Sequence, residues 1–337
     1  RAVTTPTTHI ARWDLDKTYL RTEFDTLRDL VRTALEQPHE KRTNPGAATL
    51  LREMVRAGVA VHILSGSPEQ MRKRLESKLR LDGIVWESFT LKPNLENLLR
   101  LRFRAVKDQL GYKLPALLRS RNAATRGHST LRETLFGDDA EADAFVYSLY
   151  ADVVSGHVSP EALLEICARG RVYPDVMDAL VEDARAIDRI EAVERILIHL
   201  ERQTSPDAFR VYGARVVPFY NYLQAAFVVQ EDKRLPPEAV LRVGVELVVQ
   251  HRFDGDALAR SYLDIARRGH LRGDAVESLA RAYEGSKDML PATKELGRMI
   301  ARATEMEKVA KESYRGNDQP LPDYASLVMQ HNPRRRR

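Results

Sequence analysis

Cysteine is nearly absent: Cys167 is the single one among 337 residues. That excludes an intramolecular disulfide framework and any cysteine-rich zinc module. No run approaches ~18 consecutive apolar residues, so no membrane-spanning helix is expected. Low-complexity stretches are missing as well, and with 43% hydrophobic and 30% charged residues most of the chain is expected to be globular. His9, His128 and His157 are scattered without zinc spacing. The first residues, Arg1-Ala2-Val3, include no methionine, which leaves room for a removed targeting segment. Localisation is open, with the cytoplasm as the expectation.

A strong charge of one sign is also lacking, since the formal net charge is +5. It is unevenly placed. Residues 1–150 hold 25 Lys and Arg against 19 Asp and Glu, and residues 151–337 hold 28 against 29. Nine basic residues accompany the single acid Asp108 between Arg100 and Arg132. Such a region attracts an anionic polymer or lipid, although a solvated helix face has the same composition. Arg334 to Arg337 reads as a basic disordered tail over residues 331–337.

The length suggests two domains. Residues 1–150 read as α/β. Thr8–Trp13 forms a short strand leading into Asp14-Leu15-Asp16; helical segments follow at Phe24–Leu35 and Ala47–Ala57; Val59–Leu64 is an apolar run of the kind buried in a parallel sheet. Ser65-Gly66-Ser67-Pro68 breaks that run, with Ser67 as a cap for a helix over Pro68–Leu79. Gly83–Trp86 is a further short strand, Leu95–Leu110 a helix, Lys113–Arg119 the start of a helix or long loop, Asn122–Ser129 an exposed segment, and Thr134–Phe136 a last strand. Alternating strands and helices argue for a parallel sheet covered on both faces, a three-layer sandwich. Residues 151–330 read as an all-helical domain, including helices at Ile190–Glu201 and Pro218–Gln230, with Leu241–Val249 the one competing strand pattern. Leu164–Gly170 resembles Leu263–Gly269, 99 residues on, which suggests an internal repeat of a helical unit.

Chemistry concentrates at the strand ends. Asp14 and Asp16, two residues apart just past a strand, can both face the crevice at the carboxyl edge of a sheet. Like charges that close repel unless a cation or a shared proton compensates, and magnesium does so with oxygen ligands. Ser65 follows the second strand where a phosphate group accepts hydroxyl and amide protons. Gly137-Asp138-Asp139 follows the last strand, with Glu141 and Asp143 behind it and Lys113 in the basic region before it.

In this order the segments resemble the haloacid-dehalogenase-like hydrolase superfamily, the aspartate-nucleophile phosphatases. Asp14-Leu15-Asp16-Lys17-Thr18 is similar to its first motif, Leu64–Pro68 to the second, Lys113 to the third and Gly137–Asp143 to the fourth. Within that group the chain most resembles the actin-patch-associated phosphatidate phosphatase family, matching Ser65, Ser67, Pro68, Gln70, Gly137, Asp138, Asp143 and Tyr147 of its motifs. It differs in having Glu69 for Trp, Asp139 for Ser and Ala140 for Gly, differences that bear on the lipid substrate rather than on the hydrolase chemistry. The likeness covers roughly residues 6–150.

The resemblance implies a Rossmann-like sheet, bound Mg2+ and a phosphorylated substrate. Asp14 becomes the nucleophile and Asp16 the general acid and base, while Ser65 donates to a phosphoryl oxygen and Lys113 neutralises the aspartyl-phosphate and restrains Asp14, with Lys92 as its rival. Asp14, the carbonyl of Asp16, and Asp138 hold the metal, with Asp143, or else Asp139, steadying its water. Tyr147 reads as packing, and His62 as a satisfied core histidine. Only 46 residues separate Thr18 from Ser65, so a large cap there is not expected; Leu91–Thr130 or the helical half is the other candidate cover. The function expected is a magnesium-dependent phosphomonoesterase. Phosphatidate phosphatase, nucleic-acid-end phosphatase and a helical scaffold with an incidental hydrolase domain are the alternatives.

Overall fold

The computed structural model describes residues 9–21, 42–92, 106–125, 130–312 and 320–331. The helix expected at Phe24–Leu35, most of that at Leu95–Leu110, His128 and the arginine tail lie outside the described residues.

Apolar runs make the sheet. Strands β1 (His9–Asp14), β2 (Ala60–Pro68), β3 (Ser88–Lys92), β4 (Arg132–Asp138), β5 (Val193–His199) and β6 (Val216–Phe219) pair in the order β3-β2-β1-β4-β5-β6. Every pairing is parallel. Helices cover both faces, as near-continuous hydrophobic strands require. Trp13, Ile63, Phe136, Leu197 and Val217 point into one core, with helices α1 (Ala47–Arg56) and α2 (Arg72–Leu81). Leu64, Leu135, Ile196, Ile198 and Val216 point into the other, with α3 (Val106–Ala124), α4 (Asp143–Ser155), α5 (Pro160–Arg169) and α6 (Pro174–Arg185). An all-helical region follows: α7 (Tyr222–Glu231), α8 (Pro237–His251), α9 (Gly255–Arg267), α10 (Ala275–Ser286) and α11 (Thr293–Glu312) extend the first core, and α12 (Tyr324–His331) returns to the second.

Several local expectations are corrected. Ile190–Glu201 is not a helix; its centre, Ile196-Leu197-Ile198, is fully buried because β5 is sandwiched between two cores, where apolar residues on every side mimic a buried helix. Pro218–Gln230 divides into β6 and α7, and β6, with Pro218, is an edge strand, where a missing amide is tolerated. Leu241–Val249 belongs to α8. The strand expected at Gly83–Trp86 starts later, at Ser88. Gly83 takes φ 70° and the Ile84 amide donates back to the Leu79 carbonyl at 2.8 Å, so this apolar triplet closes α2 instead of pairing. The two similar helix ends are capped differently, Gly269 with φ 78° and Gly170 with φ −70°. No helix among the described residues is long and apolar enough to cross a membrane.

Of the nine basic residues between Arg100 and Arg132, Lys113 and Arg121 turn inward and are buried against carboxylates. The described part of that region is therefore not a continuous solvated strip.

Candidate active site

The chain builds outward from β1 to β2 and β3 on one side, then restarts at β4 on the other. The reversal falls between β1 and β4, the point at which sheets of this kind place their ligands, outside the carboxyl ends of the strands. Asp14 is the last residue of β1 and Asp138 the last of β4. Behind them Trp13 stacks on Phe136 at 3.9 Å between ring centroids, fixing the two strand ends side by side.

After Asp14 the chain turns sharply. Lys17 holds φ 60°, a left-handed conformation that costs a non-glycine residue roughly 1 kcal/mol. The turn is over-determined by its neighbours, as such strain requires. The Thr18 amide donates to the Asp16 carbonyl at 2.7 Å, Asn44 Nδ2 donates to the carbonyls of Lys17 and Thr18 at 2.9 and 2.8 Å, and the Tyr222 hydroxyl donates to the Thr18 carbonyl at 2.5 Å.

Asp14, Asp138 and Asp143 each bring one oxygen into a group lying within 4.8 Å of one another, and all three are buried. Asp138 Oδ1 accepts the amides of Ala140 (2.6 Å) and Glu141 (3.0 Å), which turns its other oxygen toward Asp14; the Thr18 hydroxyl lies 3.4 Å from Asp138 Oδ2 and 3.3 Å from Asp14 Oδ2. Asp143, at the start of α4, accepts the Asp138 amide at 3.2 Å. Only glycine permits that approach at position 137, because a Cβ there would sit 2.6 Å from the Asp143 Cβ. Lys113, from the middle of α3, places its Nζ 2.5 Å from Asp143, 2.8 Å from Glu141 and 3.1 Å from Asp14.

One ammonium thus faces three carboxylates, with Asp138 a fourth beside them. Burial first, and repulsion from Asp143 and Glu141 next, push the carboxyl of Asp138 well above the usual range; Asp14 is raised in the same way, with Lys113 only partly opposing it. Burial also raises Asp143 against the pull of Lys113. Burial works against the Lys113 ammonium too, but Asp14, Asp143 and Glu141 outweigh it and its pKa is raised. Asp14 Oδ1 is buried without a hydrogen bond, its charged neighbour being that ammonium. An all-oxygen set with more carboxyls than the single ammonium can balance fits a hard divalent cation.

Asp16 faces elsewhere. Its carboxyl accepts the Ser65 hydroxyl at 2.7 Å and the Ser67 hydroxyl at 3.0 and 3.2 Å, so its side chain stands apart from the aspartate group. Burial raises its pKa, with the two serine hydrogen bonds opposing. The helix cap expected at Ser67 is corrected. Residues 65–68 continue β2 through a register shift between Leu64 and Pro68, which carries both hydroxyls over Asp16. Asp139 turns outward to accept the amides of Arg202 and Thr204 at 2.8 and 3.0 Å, so it is not a member of the aspartate group. Lys92 stands over the Tyr112 ring, 5.7 Å from its centroid, while Lys113 occupies the carboxylate site. Tyr147 is buried with its ring centroid 6.0 Å from Lys113 Nζ. His62 is half-buried, and its Nδ1 lies 3.4 Å from the Ser120 hydroxyl.

Thr18, Asn44, Tyr112, Glu141 and Tyr222 also shape the site. Tyr112 donates its hydroxyl to the Ser65 carbonyl at 2.7 Å, and its place beside Lys113 was the available signal. Asn44 and Tyr222 had none, being 26 and 204 residues from the carbonyl they hold. A cavity of about 740 Å³ at the amino ends of β5 and β6 lies away from this chemistry; of the six arginines that line it, Arg195, Arg215 and Arg268 are already paired with Asp232, Asp152 and Asp264.

Compared with protein-family models, curated proteins and solved structures, the chain matches none. Its own fold and residues show a Rossmann-like sheet of the haloacid-dehalogenase-like kind, with Asp14-x-Asp16-x-Thr18 at the switch point and a buried aspartate cluster able to hold a divalent cation.

Proposed function

We propose that the protein is a magnesium-dependent phosphomonoester hydrolase that works through an aspartyl-phosphate on Asp14. The observation that carries this reading is the meeting of Asp14 and Asp138, from β1 and β4, with Asp143 and Lys113 at one switch point. Asp14 and Asp138 would hold the ion with Asp143 beside them, and bound Mg2+ would neutralise the phosphoryl oxygens that otherwise repel a carboxylate.

Within that setting Asp14 attacks phosphorus as the bond to the leaving oxygen breaks, and Asp16 gives its proton to that oxygen. Asp16, now a carboxylate, takes a proton from water as the water oxygen bonds to phosphorus and the Asp14–phosphorus bond breaks. Lys113 stays paired with Asp14 and offsets charge on the transferring group. Ser65 turns its hydroxyl from Asp16 to a phosphoryl oxygen. A small phosphorylated metabolite, a lipid and a nucleic-acid end share this chemistry; the lipid choice rests on the motif likeness alone.

The test is phosphate release from p-nitrophenyl phosphate by the full chain with magnesium, with a chelator, and as Asp14→Asn. Magnesium-dependent release that falls by at least about 10³-fold in the variant is expected, since the nucleophile has no substitute. Unchanged activity in Asp14→Asn removes the nucleophile assignment.

A further inference from the structure

Two hydroxyls converge on one carboxyl at Asp16. Ser65 Oγ donates to Oδ2 at 2.7 Å, while Ser67 Oγ stands 3.0 Å from Oδ2 and 3.2 Å from Oδ1. Each hydroxyl has one proton to give. Ser65 Oγ also accepts the Ser67 amide at 3.0 Å, so when Ser65 turns to a phosphoryl oxygen its proton leaves Asp16 while its place in the loop is kept. Ser67 then remains.

Ser67 is 3% exposed, and its side chain caps neither the 3-10 turn at Glu69–Met71 nor α2. Its hydroxyl is spent on Asp16. A carboxyl that gives up and regains a proton alternates between one acceptor oxygen and two. A donor within reach of both oxygens can hold the group in either form, and it stabilises the carboxylate left once the proton has gone.

We propose that Ser67 is the positioning residue for Asp16, holding its carboxyl on the leaving oxygen while Ser65 engages the phosphoryl group. This rests on the hydrolase reading above. The step is balanced: the Asp14–phosphorus bond forms, the phosphorus–oxygen bond breaks, the leaving oxygen keeps the electron pair, and the Asp16 proton joins it to give an alcohol.

A leaving-group series separates this role from a structural one. The magnesium-loaded full chain, Ser67→Ala and Ser67→Thr are compared by kcat/KM on phenyl, p-nitrophenyl and 2,4-dinitrophenyl phosphates. Positioned proton donation contributes about 10²–10⁴-fold, and only where the leaving oxygen needs a proton. Ser67→Ala is expected to lose about 10- to 100-fold on phenyl phosphate and less than about threefold on the dinitrophenyl ester, with Ser67→Thr restoring most of the loss. A loss equal across the three esters, or none, overturns the role of Ser67. A wild-type chain that releases no phosphate from any of them overturns the hydrolase reading itself, and the role of Ser67 falls with it.

Discussion

Asp138 is pulled two ways. It belongs to a group of carboxyls able to hold a divalent cation, yet with no ion between them it is a fully buried acid crowded by Asp14 and Asp143. Sites shaped for function commonly give up stability in this manner. Asp138→Asn keeps an oxygen for the amides of Ala140 and Glu141 and removes one like charge. The cation-free variant is expected to be more stable than the parent by about 1–2 kcal/mol, and to lose the rise in Tm that magnesium gives the parent. Thermal unfolding with and without magnesium measures both. A less stable variant that magnesium still protects would place the cation elsewhere. Ser67 shows the limit of reading at this scale: a serine before a proline has the sequence signature of a helix cap, and only the shifted register of β2 sends its hydroxyl to Asp16.

Between elements, the position of Lys113 depends on how α3 is fastened to the sheet. Glu133 in β4 does this from below the site. Its Oε1 accepts Arg12 of β1 at 2.8 Å and Arg121 of α3 at 2.9 Å, and its Oε2 accepts the Tyr150 hydroxyl of α4 at 2.6 Å. Burial disfavours the Glu133 carboxylate, but Arg12 and Arg121 more than offset this and hold its pKa down to about 2. Removing one partner from a buried ion pair leaves charge uncompensated, so Glu133→Gln is expected to lower stability by about 3 kcal/mol, read as a shift in urea midpoint. A change under about 1 kcal/mol would mean that the two guanidinium groups are satisfied without it. None of this was legible in the sequence, where Arg12 is one polar residue in an apolar strand and its partner is 121 residues away. The strands that end in Asp14 and Asp138 were legible, because a short apolar run too brief for a helix and stopped by acids has the pattern of a buried strand reaching a polar crevice. β5 was not, because a strand buried on both faces loses the alternation that distinguishes it from a helix.

Taken whole, the molecule encloses neutral histidines along the sheet, in β1, β2 and β5, and one just past α9. Burial, assisted at His62 by Arg12 and at His9 by Arg234, lowers the pKa of His9, His62 and His199 to about 4, and burial with Arg268, Arg195 and Arg272 lowers that of His270 to about 3. Unfolded, each titrates near ~6.5. Between these values the unfolded chain binds more protons than the folded one, so stability is full above about pH 6.5 and is lost as pH falls through 4. Each histidine contributes a slope of up to about 1.4 kcal/mol per pH unit, and the Glu133 contribution is lost below them, between about pH 4.3 and 2. Urea midpoints should hold from about pH 7.5 to 6.5 and then fall toward pH 4, less steeply than the histidines alone would give because the raised carboxyls of Asp14, Asp138 and Asp143 take up protons in the folded chain; a fall that is unchanged in His199→Gln would show that this histidine does not contribute to it. The same scale decides when the site comes into being. Asp138 follows Asp14 by 124 residues, and the hydroxyl that secures the Thr18 carbonyl belongs to residue 222. A growing chain therefore holds Asp14 without its acidic neighbours until Asp138 and Asp143 are added, and the turn beside it is pinned only once the opening turn of α7 has been made.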